Sequence, residues 1–339
     1  MHAEAAPQRP ILTVSGLRLV ADARAGHGEI ELVAGAMLHA YRGEILGVVG
    51  ESGSGKSLTL RAIAGLLPPG VRVAGGEIDV AGIDAVRGSA KDLRRLNGQT
   101  VGMVFQEPMS ALNPTMRIGP QIAEAVAAHS GSTRAAAKSR AVELLGRMGF
   151  KEPGRQYRLY PHELSGGMRQ RVMIAIALAG DPPLLLCDEP TTALDATVTM
   201  RVLDLLGDLV RELNIGIVFV THDLGVAARI CNRLVVMYAG RVVEEGPADA
   251  VLRRPRHPYT LALLRAVPTR GSRVEDLRAI PGAPPSAGEQ LPGCSFAPRC
   301  AFSLPECLEP VPLIALGSGR MSACIRHELL ADMAGRARD

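Results

Sequence analysis

The run Gly50-Glu51-Ser52-Gly53-Ser54-Gly55-Lys56-Ser57 fits G-x-x-x-x-G-K-S/T at every fixed position. Before it stands Ile45-Leu46-Gly47-Val48-Val49, and after it a helical stretch from Lys56 to Leu66 that Leu67-Pro68-Pro69-Gly70 ends. A strand apolar on both faces belongs inside a parallel sheet covered by helices on either side. A glycine-rich bend between that strand and helix turns backbone N–H groups inward without Cβ clashes and adds the positive end of the helix. Such a loop cradles polyphosphate, with Lys56 reaching the β- and γ-phosphates and the Ser57 hydroxyl taking a Mg²⁺ position. The plain alternative is a glycine-rich turn with a chance lysine, and the flanking strand and helix count against it.

The order of elements extends this constraint along the chain. Ile11–Val20 and Glu29–Leu38 read as β-rich runs, and Val101–Phe105, Leu184–Cys187, Ile217–Thr221 and Arg233–Tyr238 as further central strands. Between Val101–Phe105 and Leu184–Cys187 lies an Ala-rich stretch, Ile118 to Phe150, with helical periodicity broken at Ser130-Gly131-Ser132. It reads as two helices of an inserted helical subdomain. Strands alternating with helices imply an α/β architecture with a mostly parallel sheet. After Pro247 the texture changes, and Pro and Gly become dense from Pro268 to Pro312, as in a linker leading to a small cysteine-bearing extension. Each nucleotide motif occurs once, so two fused copies of the domain are not expected.

Composition narrows the function. The 339 residues suffice for one large domain or two modest ones. With 38 basic against 34 acidic side chains the net charge is only +4, and no nucleic-acid partner is expected. The absence of Trp, with five Tyr and five Phe, also argues against a base-stacking platform. No apolar run approaches the roughly 18–20 residues that span a bilayer. Met1 to Pro10 has neither a basic nor an apolar signal region, so secretion is not expected and thiols should stay reduced. Six cysteines, four of them near the end, then suggest metal or cluster chemistry more than disulfides.

Further polar residues stand at the ends of the expected strands. Asp188 and Glu189 close an apolar strand, at the edge where a doubly wound sheet presents its ligands. There Asp188 would hold Mg²⁺ through water, and Glu189 would orient and deprotonate an attacking water. A solvated strand-to-turn junction is the bland alternative for that pair. Leu164-Ser165-Gly166-Gly167-Met168-Arg169-Gln170 opens a helix that runs on to Ala179. A helix start bearing a hydroxyl and bare glycine amides suits a phosphate, although Ser165 taken alone reads better as an ordinary N-cap. Gln106 and His222 end strands as well, where a lone Gln or His is usually a local hydrogen-bonder.

Taken in this order, the P-loop, Leu164–Gln170 and the acids that follow resemble the ATP-binding subunits of ABC transporters. The resemblance covers roughly residues 11–265 and implies a P-loop ABC ATPase cassette: a mostly parallel central sheet, an N-terminal β subdomain, an inserted helical subdomain at about 115–165 and a small C-terminal cysteine-rich extension. It divides the chain into a cassette at 1–255 and an extension at 256–339. It makes Gln106 the Q-loop glutamine, which contacts Mg²⁺ or water, and His222 the switch histidine on the γ-phosphate. Ser165, Gly166, Gly167 and Asp195, the last in Pro190-Thr191-Thr192-Ala193-Leu194-Asp195, would contact ATP held by a neighbouring cassette. Phe105–Pro114, His257-Pro258-Tyr259-Thr260 and Gly293-Cys294-Ser295-Phe296-Ala297-Pro298-Arg299-Cys300 are similar to segments of dipeptide, oligopeptide and nickel importers.

That resemblance implies an importer ATPase for peptides or similar small solutes, peripheral on the cytoplasmic side of the plasma membrane. Its implied partners are two transmembrane permease subunits, an extracytoplasmic solute-binding protein and a second ATPase, expected to be a paralogue in a heterodimer. A soluble ABC-type ATPase of translation or DNA repair is the alternative, but such proteins usually carry fused cassettes or long coiled-coil insertions. Cys294, Cys300, Cys307 and Cys324 form C-x5-C-x6-C-x16-C, whose thiolates suit Zn²⁺ or an iron–sulfur centre. Without the tight pairs usual at zinc sites, the spacing favours the larger cluster. The family's matching extension carries a 4Fe–4S cluster, which points the same way; a redox sensor of the ATPase is a further reading of these cysteines. Cys187 and Cys231 read as small core residues. One departure stands out: Val20 to Ala40 lacks the aromatic residue on which the family commonly stacks adenine, so either His27 or an arginine such as Arg24 substitutes or adenine is held loosely. Base stacking contributes about 1–3 kcal/mol, so weaker base selectivity is expected without loss of function.

Overall fold

Alternation along the central strands divides the core in two. In a computed structural model describing residues 9–22, 28–107, 111–192, 194–266, 280–289 and 291–330, the first strands are β1 (Leu12–Asp22), β2 (Glu29–Ala40) and β3 (Ile45–Val49). They are followed by β4 (Val71–Val80), β5 (Ile83–Asp84), β6 (Val101–Val104), β7 (Leu184–Asp188), β8 (Gly216–Thr221) and β9 (Arg233–Tyr238). β10 (Arg241–Pro247), β11 (Ile314–Gly317) and β12 (Arg320–Ser322) complete them. Ile45 and Val49 of β3, Leu185 and Cys187 of β7, and Ile217 and Phe219 of β8 join one apolar cluster. Their neighbours Leu46, Val48, Leu184, Leu186, Val218 and Val220 join the other, as the two-residue period of a strand requires.

The main sheet runs β11-β12-β10-β9-β3-β8-β7-β6, with β6, β7, β8, β3 and β9 parallel to one another. A second sheet, β2-β1-β4-β5, is antiparallel and covers one face, forming the N-terminal β subdomain. The early helices are α1 (Lys56–Ile63) and α2 (Ala90–Arg95). The helical subdomain comprises α3 (Ile118–Ser130), α4 (Arg134–Arg147) and the single turn α5 (Pro153–Gln156). Gly131, at φ 62°, ends α3, and the Thr133 hydroxyl caps α4 by accepting from Ala136 N, so the expected break falls between them. Then come α6 (Gly166–Ala177), α7 (Ala196–Leu213), α8 (Leu224–Ile230), α9 (Ala248–Arg253) and α10 (Pro258–Ala266). Val202, Leu203, Leu206, Leu209 and Val210 give α7 one buried stripe of helical period.

Several boundaries differ from the sequence expectation. The first helix stops at Ile63 and the sixth strand at Val104, leaving Phe105 exposed. β4 and β10 carry no clear signal of their own; a Gly75-Gly76 pair interrupts β4, where Gly76 crosses against Gly16. The extension is not set apart from the cassette. β12 pairs with β10 through Glu244–Ser322 and Glu245–Met321, so the main sheet continues across residues 255 and 256. His27, Arg24 and Pro108 to Ser110 lie outside the described residues, as does the first part of the expected linker, 268–279. Cys187 and Cys231 are buried core residues.

Candidate functional site

Parallel register places the expected polar residues side by side. Val49 pairs with Thr221, Asp188 with Val220, and Val104 with Cys187. The residues just beyond these ends therefore converge at the carboxyl edge of the sheet, where α/β folds bind their ligands. Gly50 lets the chain leave β3 there, because a Cβ on it would lie 2.2 Å from the carbonyl oxygen of Met237. Gly55, at φ 96°, starts α1 in a left-handed conformation open to glycine. Ser52 to Ser57 line a cavity of about 690 Å³ together with Gln106, Glu189 and His222. Lys56 is buried and donates to the carbonyls of Gly50 (2.9 Å) and Glu51 (2.7 Å). Burial lowers its pKa, opposed by the nearby carboxylates of Glu189, Asp188 and Glu51.

The Ser57 hydroxyl donates to Asp188 Oδ1 at 2.7 Å, and burial raises the pKa of that carboxyl. Both are hard oxygen donors drawn together beside the phosphate loop, a set that fits Mg²⁺. Glu189 follows at φ 46°, a left-handed conformation rare for a residue with a side chain. It accepts from Gln106 Nε2 (3.2 Å) and Thr192 Oγ1 (2.9 Å), and His222 Nδ1 lies 3.1 Å away. Burial alone would raise its pKa, but the bonds from His222 and Thr192 outweigh it and the net shift is downward. These contacts fix the carboxylate at the mouth of the cavity.

Ser165, Gly166, Gly167 and Asp195 lie elsewhere. Ser165 and Asp195 are exposed N-caps, accepting from Met168 N and from Val198 N respectively. A Cβ on Gly167 would meet Val198 Cγ1 at 2.2 Å, so the starts of α6 and α7 lie against each other. None of the four lines the cavity that holds the P-loop.

The four cysteines of the extension do come together. Cys294, Cys300, Cys307 and Cys324 line one narrow cavity of about 20 Å³ with His257 and Phe296. Burial raises the thiol pKa of Cys294 and Cys300 and pushes Cys324 up to about 12. Among the described residues, however, no three or more His, Cys, Asp or Glu side chains are grouped so as to hold a metal ion. The donor set fits a thiolate-bound centre, whereas the space between the thiols, room for about one water, does not fit a polynuclear one as it stands.

Residues of the extension to which the motifs assign no role at the nucleotide also reach the P-loop. Pro285 to Glu289 line the cavity, Arg299 pairs with Glu51, and the Tyr259 hydroxyl accepts from Glu51 N at 2.7 Å. The signal available in sequence was a single arginine in the otherwise uncharged run from Gly293 to Cys300.

Fold and site together define an ATP-binding cassette ATPase. Residues 33–192 match the ABC transporter family, and residues 243–307 match the oligopeptide/dipeptide transporter C-terminal region. A putative peptide import ATP-binding protein of Brucella melitensis is 46% identical over 96% of this chain and 99% of its own length. The oligopeptide transport ATP-binding protein OppD of Bacillus subtilis is 47% identical over 82% of this chain and 78% of its own. Among solved structures, the dimeric post-hydrolysis state of the cassette MJ0796 bound to ADP and Pi matches 70% of this chain and 98% of that one, at a TM-score of 0.61 and 29% identity. CbiO1 of Clostridium perfringens, part of the ABC transporter complex cbiONQ, matches 72% and 91%, at a TM-score of 0.62 and 28% identity. The chain belongs to the ABC transporter ATP-binding subunits that carry the oligopeptide/dipeptide transporter C-terminal region.

Proposed function

We propose that this subunit hydrolyses ATP to energise uptake of peptides or similar small solutes. The observation that carries the reading is the Glu189 carboxylate, held by Gln106, Thr192 and His222 at the mouth of the P-loop. Water attacks the γ-phosphorus in line, Glu189 takes its proton, the bond from the γ-phosphorus to the bridging oxygen breaks and ADP leaves. Lys56 and the P-loop amides stabilise charge on the phosphoryl oxygens, and His222 faces the γ-phosphate. Ser57, Gln106 and Asp188 would hold Mg²⁺, which neutralises phosphate charge when bound.

Ser165, Gly166, Gly167 and Asp195 would meet ATP on a second ATPase subunit, a reading supported by their place outside this chain's own cavity and by the exposure of Ser165, Gly166 and Asp195. A paralogue in that position makes the pair a heterodimer. Binding ATP would close the pair, and hydrolysis and release would part it. Among the described residues no helix is long and apolar enough to cross a membrane, so permease subunits would supply the path, with this chain peripheral on their cytoplasmic side and a solute-binding protein delivering cargo.

The converging thiols support a 4Fe–4S cluster on Cys294, Cys300, Cys307 and Cys324, although housing it requires the segments that bear them to part. Bound there, it would cross-link those segments. A single Zn²⁺ needs four sulfurs about 2.3 Å from one point, and the described thiols are not gathered that tightly.

The test is ATP-dependent peptide uptake by vesicles containing this chain with its membrane partners. Uptake that stops when Lys56→Ala is introduced is expected. Vigorous ATP hydrolysis with no membrane partner and no uptake would overturn the transport reading.

A further inference from the structure

Arg299 ties together three segments far apart in sequence. Its Nη1 and Nη2 donate to Glu51 Oε2 and Oε1 at 2.8 and 3.1 Å, and Nη1 also reaches the Tyr238 hydroxyl at 3.2 Å. Its Nε donates to the carbonyl of Pro281 at 2.9 Å. The side chain is only 6% exposed and lies over the rings of Tyr238 and Phe296, 5.8 and 5.9 Å from their centroids. A guanidinium matched to both carboxylate oxygens is a directional, charge-assisted contact that a lysine cannot reproduce.

What those partners do gives the contact its meaning. Glu51 is the second residue of the P-loop, and its own N–H is fixed by Tyr259 of α10. Both the side chain and the backbone of Glu51 are therefore held from outside the cassette's motifs. Pro281 opens the run whose residues Pro285 to Glu289 line the nucleotide cavity. That run sits hard against the second strand, since a Cβ on Gly288 would lie 2.5 Å from Ile30 Cγ2. Removing Arg299 would leave Glu51 unpaired, free the P-loop's first turn and release the wall beside it.

We infer that Arg299 is a positioning residue of the ATP site, through which the C-terminal extension sets the P-loop and completes the cavity for the nucleoside triphosphate. The inference rests on reading that cavity as the ATP site. The effect falls on nucleotide affinity more than on the chemical step, because Arg299 touches neither Glu189 nor Asp188.

The full-length chain is titrated with ATP, and turnover is measured in the assembled transporter. Arg299→Gln should weaken ATP binding about tenfold, as expected for losing one charged hydrogen-bonded contact, and raise KM alike. kcat should change by less than about threefold, since the groups that act on water are untouched. Arg299→Lys should not restore affinity. Glu51→Gln should match Arg299→Gln, and the double variant should be no worse than either, as two halves of one contact require. Unchanged ATP affinity in Arg299→Gln, or additive losses in the double variant, would overturn the inference. If Arg299→Gln does not fold, Glu51→Gln decides alone: unchanged affinity there is equally fatal. A wild-type chain that binds no ATP would instead sink the nucleotide reading itself.

Discussion

Nδ1 of His222 lies 3.1 Å from a carboxylate oxygen of Glu189, across the ends of the neighbouring strands β8 and β7. The main chain at Glu189 is left-handed, and that is what turns the carboxylate toward both His222 and Gln106. A carboxylate held by these donors is fixed at the mouth of the P-loop, where a base for water must stand.

Glu189→Gln should keep ATP binding and lose turnover. The amide cannot take the proton, and loss of a general base typically costs about 10²–10⁴-fold. Parallel measurement of ATPase rate and MgATP affinity checks it, and near-normal turnover would reject the assignment. A competent site on a paralogous partner would appear as residual activity of the complex, not of a homodimer.

Ser165→Arg should separate binding from turnover differently. Ser165 is exposed and lies outside the chain's own cavity, so ATP binding by the lone subunit should be unchanged. The bulky cation should instead block closure on a neighbour's nucleotide and abolish ATPase activity of the assembled complex. Poor ATP binding by the lone mutant would place Ser165 in its own pocket.

The legible parts of this molecule were those with a local period or a fixed spacing. β3, β7, β8 and β9 read directly, because strands buried on both faces are continuous apolar runs. The hairpin of α3 and α4 read from its interrupting Gly131. β4 did not, since Gly75 and Gly76 break its alternation, and β10 ends in Glu244-Glu245-Gly246-Pro247, which looks like a loop. Glu244 is nevertheless fully buried, accepting from Arg256 N, His257 N and Arg320. Those partners come from the extension and its approach, so only tertiary pairing explains the strand. For the same reason the Arg299–Glu51 contact, spanning 248 positions, left no trace in spacing.

Phe296→Ala should lower the melting temperature of the whole chain in one transition. Phe296 is buried in the same apolar cluster as Tyr238 and Tyr259, with ring centroids 5.3 and 5.4 Å from theirs. Truncating a buried Phe costs about 3–5 kcal/mol. Calorimetry checks it: a mutant in which a small early transition shifts while the main one stays would make the extension an independent unit.

Anaerobically purified protein should be brown and contain about four iron and four sulfide per chain. The argument is from donors: four thiols, two buried and two half-buried, face one cavity, in an extension whose described residues have little apolar core beyond Phe296 and its neighbours. Because that cavity is narrow, loading should also move the chain. The extension of cluster-loaded protein should resist limited proteolysis better than that of protein stripped by chelator and oxidant. Cys300→Ser should lose the colour and take on the stripped protein's cleavage pattern. ATP hydrolysis needs no redox step, so ATP should still be turned over by any stripped protein that stays folded. Stoichiometric zinc without iron would replace the cluster with a structural metal knot, and protein free of both metals would leave four thiols packed against one another, two buried and two half-buried.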